Sequence, residues 1–152
     1  MCRVVELNID GRLIRVADVK QKYMANIIDA AESCLAEAEK NSVKLAKYLR
    51  GQCGYHLQQA CEKMIKLQLY HSLITVDYGK IYKHDLADLE SYARSEGVTL
   101  AIPKYIADRL ALISTWEAEG CFDTHFVVRT DTLKRCLEEI NKWYDSLKKN
   151  YK

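Results

Sequence analysis

Apolar residues recur three and four positions apart through most of the chain, and at about 100° per residue that spacing predicts amphipathic helices. The clearest case lies between Gly54 and Tyr70. There Leu57, Ala60, Cys61, Met64 and Leu67 form one stripe, while Gln59, Glu62, Lys63 and Lys66 fall on a different face. Glu62 and Lys66 stand four apart with the acid first, the better order for an ion pair on a helix surface, where it contributes about 0.2–0.5 kcal/mol. Upstream, Tyr23, Ile27, Ala30, Ala31, Cys34, Leu35 and Ala38 mark a helix within Asp18 to Lys40. Asn41-Ser42 interrupts the pattern and can cap a second helix running from Val43 to about Leu73. Gly51 and Gly54 fall inside it, each at a cost of about 1 kcal/mol against alanine. Close approach of a neighbouring helix is the expected reason.

Thr75 to Tyr82 reads as a loop. Asp85 can cap a third helix carrying Leu86, Leu89, Tyr92 and Ala93, with Gly97 at its end. Pro103 suits the first turn of a fourth, since its missing N–H costs nothing there. Along that helix Ile106, Leu110 and Ile113 form a stripe, Leu112 and Trp116 flank it, and Gly120 ends it. Cys121 to Arg129 is a connecting loop, after which Thr130 can cap a last helix with Leu133, Cys136, Leu137, Ile140, Trp143 and Leu147 at helical spacing. Only Val4 to Val16 departs from the pattern, with two strand-like runs around Asp10-Gly11, a favoured hairpin turn. Residues 1–17 are therefore read as a β-hairpin or an arm, and residues 18–152 as one all-α, up-and-down bundle of four to five helices.

The composition agrees with a bundle: 152 residues, 49% hydrophobic, with a single proline. A formal charge of only +2 means that any RNA or nucleotide site must be a local patch. Six thinly spread cysteines, several at stripe positions, suggest buried reduced thiols in a cytoplasmic protein. No apolar run approaches the roughly 18 residues that would span a bilayer, so no membrane association is expected. Phosphate-binding glycine loops, nucleophile elbows and paired-cysteine or paired-histidine metal motifs are missing from the sequence, which removes the commonest self-announcing enzymes. Cys53 and His56 could join Cys121 and His125 around zinc. However, Cys53 continues an apolar stripe and the spacing matches no recognised signature, so neither metal nor cofactor is expected.

Three stretches in order carry a family likeness. Tyr55-His56-Leu57-Gln58-Gln59-Ala60 leads into Glu62-Lys63-x-x-Lys66, followed by Lys83-His84-Asp85-Leu86 and then by Leu112-Ile113-Ser114-Thr115-Trp116. Together they resemble the HEPN family (higher eukaryotes and prokaryotes nucleotide-binding domain), over roughly residues 26–148. The resemblance implies a bundle of four or five helices that commonly pairs as a homodimer. It also implies a nucleotide- or RNA-binding or protein-interaction role. Short stand-alone members are often partnered with a minimal nucleotidyltransferase encoded beside them, as toxin and antitoxin.

Active HEPN ribonucleases carry Arg, four to six residues, then His, and Arg50 to His56 fits that spacing. In such a metal-independent endoribonuclease His56 would move a proton at the ribose or leaving oxygen while Arg50 held the phosphate. The motif's place is early for the family, and six residues on a straight helix turn the two side chains about 120° apart. A noncatalytic binding module is thus the leading expectation, with ribonuclease action through Arg50 and His56 as the alternative. For a phosphate ligand, Gln59, Lys63 and Lys66 are the candidates. His84-Asp85 reads as a helix start rather than a catalytic pair, and the ten tyrosines are too dispersed to suggest a stacking platform.

Overall fold

The computed structural model describes residues 6–9, 12–116 and 129–150, with side chains described from residue 24 onward. Seven helices make up the described part: α1 (Val16–Ala38), α2 (Val43–Ser72), α3 (Tyr78–Ile81), α4 (Leu86–Ser95), α5 (Lys104–Ala107), α6 (Leu110–Ser114) and α7 (Thr130–Asn150). The fold is all-α. Two four-residue segments with strand geometry, Glu6–Ile9 and Arg12–Arg15, precede the bundle. The turn expected to join them, at residues 10 and 11, lies outside the described residues, and so does the expected loop at residues 121–128.

Helix α2 is the axis of the molecule. It packs along α1, and it also contacts α7, α4 and α6. Leu57, Ala60, Cys61, Met64 and Leu67 are buried as their spacing requires. They meet Met24, Ile28, Ala31 and Leu35 from α1 and Leu133, Cys136, Ile140, Trp143 and Leu147 from α7 in one core. Neighbours on more than one side leave this helix little solvent face in its second half, so its polar residues are enclosed too: Gln58, Glu62, Lys66 and Gln68 are all buried. The expectation of a surface ion pair between Glu62 and Lys66 is therefore corrected. The helix runs unbroken through both glycines. At Gly54 the close neighbour is the Trp116 indole, which would lie 3.3 Å from an added Cβ, and not another helix backbone.

Local chemistry sets the ends. Asn41 Nδ2 donates to the Glu37 carbonyl at 2.6 Å, closing α1, while Ser42 occupies the N-cap of α2 without a side-chain bond. Asp85 caps α4 by accepting from the Asp88 N–H at 3.1 Å. Gly97 takes a φ of 71° just past the end of α4. There Val98 N–H reaches the Ala93 carbonyl and Gly97 N–H reaches Arg94, the paired bonds of a Schellman ending. The expected loop at residues 75–82 contains α3, whose start is fixed by Asp77 accepting from Gly79 N–H. The expected fourth helix is split into α5 and α6 because Arg109 leaves helical geometry. Its guanidinium lies over the Tyr105 ring at 3.6 Å and donates to the Tyr105 carbonyl, an alternative to continuing the helix.

Candidate functional site

The three motif-bearing stretches meet beside the second half of α2. Gln58 Nε2 donates to the backbone carbonyl of His84 at 2.9 Å. One turn on, Glu62 Oε1 accepts from Lys66 Nζ at 2.9 Å and from His84 Nδ1 at 2.7 Å. The Leu86 N–H at the start of α4 donates to Ser114 Oγ in α6 at 2.9 Å, and Trp116 packs on Gly54. A fourth polar residue of α2, Gln68, accepts from Ala101 N–H at 2.7 Å and donates to the Ala101 carbonyl at 3.1 Å, fixing the chain ahead of α5. Through these bonds the buried polar side chains of α2 find partners, although the Gln58 Oε1 finds none among the described residues. The polar positions of the likeness thus act largely as an internal framework that ties α4, α6 and the 101 loop to α2.

This placement decides what the expected ligand residues can do. The Lys66 side chain is only 9% exposed and its ammonium is committed to Glu62, so it is not placed to meet a phosphate from solvent. Gln59 and Lys63 are half-buried. Arg50 and His56 are also half-buried, and both sit on the same uninterrupted helix. Six residues of α-helix point them about 120° apart, so a single chain does not bring them onto one reacting atom. The Tyr55 ring meets His56 edge-on at 5.6 Å, and burial lowers the His56 pKa below the usual histidine value.

The first half of α2 has a different character. Between Ser42 and Cys61 the sequence holds Lys44, Lys47 and Arg50 and no acid, and Glu62 is the first carboxylate of the helix. Lys44 is exposed, and Val43, Leu45 and Tyr48 stand out at 87%, 44% and 56% exposure. The positive end of the helix dipole adds to this local field. A net charge of +2 spread over the chain gave no sign of it; the acid-free run itself was legible in the sequence.

Among the described residues no group of three potential ligands could hold a metal ion. Cys121 and His125, which a zinc site would need, lie outside them. Cys34, Cys53, Cys61 and Cys136 are free thiols. Burial pushes Cys53 and Cys136 up to about 12 and raises Cys61 as well, so these thiols serve the core and not a reactive centre. No described helix is long and apolar enough to cross a membrane. No protein-family model matches the chain, and neither a curated protein nor a solved structure matches it.

Proposed function

We propose that this chain is a HEPN-like bundle that acts as a noncatalytic, dimeric RNA-binding module, with the first half of α2 as its contact surface. The supporting observation is the acid-free run carrying Lys44, Lys47 and Arg50 at the N-terminal end of a 30-residue helix, where Val43, Lys44, Leu45 and Tyr48 are exposed and Lys47 and Arg50 half-buried. Lysine and arginine there offset phosphate charge, and binding releases the counterions that the phosphates held. Tyr48 supplies an exposed ring on which a base can stack. In the second half of the same helix the signature residues hold the bundle together, which leaves the first half for ligands. Within one chain Arg50 and His56 point about 120° apart on one unbroken helix, which favours the binding role. A nucleotidyltransferase partner would use a surface other than the enclosed framework.

Fluorescence anisotropy with a labelled single-stranded RNA tests the reading. Reversing Lys44 and Arg50 to Glu is expected to weaken binding at least about tenfold and to flatten its salt dependence by roughly one unit of log–log slope per lost contact. Reversal of Lys148 and Lys149, near the end of α7, serves as the control with little expected effect. Equal losses in both variants would overturn the assignment of the surface.

A further inference from the structure

A cleft of about 240 Å³ opens between α3 and α4, lined by Lys80, Lys83, Asp88, Ser91, Tyr92 and Ser95. Asp88, Ser91, Tyr92 and Ser95 recur at the spacing of one helix face, while Lys80 and Lys83 come from α3 and the turn after it. The walls are fixed, because Ile81 and Tyr92 are buried and the Tyr92 hydroxyl accepts from the Asp77 N–H at 2.9 Å, tying the start of α3 to α4. The polar groups are of two kinds. The donors are the two ammoniums and the exposed Ser91 hydroxyl. Among the described residues the Lys80 ammonium has no carboxylate partner and lies 5.7 Å from the centre of the Tyr92 ring. Lys83 meets Asp88 at 3.7 Å with both side chains more than half exposed, an ion pair that costs little to open. The acceptors are the Asp88 carboxylate and Ser95 Oγ, whose own proton goes to the Tyr92 carbonyl at 2.7 Å. Asp77 and Asp85, the other acids of residues 77–88, are committed to the caps of α3 and α4.

We propose that this cleft binds a small phosphorylated sugar. The phosphate accepts from Lys80, Lys83 and Ser91, and the sugar hydroxyls donate to Asp88 and Ser95. The Tyr92 ring, part of the same lining, offers an apolar surface to the C–H face of the sugar. The volume lies below the roughly 300 Å³ at which pockets for drug-sized ligands begin, which keeps the ligand small. Asp88 also sets the preference within anions: an anion that brings no hydroxyl leaves this carboxylate facing a like charge, whereas a sugar phosphate answers it with a donor. The cleft shares no residue with the first half of α2, so this proposal and RNA binding there can fail independently.

The test is an NMR titration of the backbone amides of the full chain with ribose 5-phosphate, with ribose and inorganic phosphate as comparison probes. Saturable shifts centred on residues 77–96 are expected with ribose 5-phosphate. Its affinity should exceed that of either comparison probe at least about tenfold, since each lacks one set of hydrogen bonds to charged groups. Lys80→Glu is expected to weaken binding by about tenfold or more. Lys104→Glu, an equal change of charge at an exposed side chain outside the cleft, should leave the affinity unchanged. Both lysines are exposed, so the fold should survive either change, and the amide spectrum reports it. Absence of saturable shifts over residues 77–96 in the native chain would overturn the proposal. Equal affinity for inorganic phosphate would overturn it as well, since the sugar would then contribute nothing, and so would equal losses in the two variants, which mark a general effect of charge.

Discussion

At the scale of single residues, similar side chains on one helix have opposite fates. Lys44 is exposed at the start of α2, and Lys66 on the same helix is enclosed with Glu62. His56 is half-buried, and loss of water from around its ring disfavours the imidazolium, so its pKa lies below the usual value. The unfolded chain takes up this proton at a higher pH than the folded one, so the His56 contribution to stability is fully present above about pH 6.5 and is lost as the pH falls through the folded value. Urea unfolding across that window is expected to show stability declining with acid, and His56→Gln should remove part of the slope. An identical slope in the variant would mean that the ring is solvated. Nothing in the sequence distinguished His56 from His84 in this respect, since exposure depends on which elements pack nearby.

At the scale of elements, α2 is long because its apolar stripe never stops, and it tolerates Gly54 because a Trp116 ring occupies the space where a Cβ would be. Gly54→Ala would regain helix propensity but bring a methyl to 3.3 Å from the indole. Gly54→Val asks more of a buried ring and is expected to cost about 1–3 kcal/mol in chemical denaturation, as overpacking does. A neutral effect would show that Trp116 can move aside. The elements that were legible beforehand had continuous 3.6-residue periodicity or unambiguous caps: α1, α2, α4 with Asp85 and Gly97, and the buried stripe of α7. The break between α5 and α6 was not legible, because the stripe Ile106, Leu110 and Ile113 continues across it. What decides it is Arg109 bonding back to the Tyr105 carbonyl and covering its ring, a choice between two local arrangements that periodicity does not register. The four residues of α3 were missed for a related reason, since Asp77 and Gly79 read equally well as a turn.

At the scale of the whole molecule, the bundle and its central helix were legible in the sequence, whereas the polar face expected at Gln59, Glu62, Lys63 and Lys66 is largely enclosed. A helix touched by α1, α4, α6 and α7 keeps only a narrow, half-buried polar strip in its second half, at Gln59 and Lys63. Pairing and hydrogen bonding make that burial tolerable: Lys66 and His84 share Glu62, Gln58 holds the His84 backbone, and Gln68 holds Ala101. Three stretches far apart in sequence are thereby locked to one axis, and unfolding of the described bundle should be correspondingly cooperative. The enclosure of the Glu62–Lys66 pair is what a double-mutant cycle measures. In urea unfolding, Glu62→Met and Lys66→Met are each expected to lose about 3–5 kcal/mol, because each strands the other's charge, with the loss for Lys66→Met nearer the lower end since His84 remains. The double variant should lose far less than their sum. Single losses below about 0.5 kcal/mol that simply add would describe a pair standing in water, and would contradict the structure of the site.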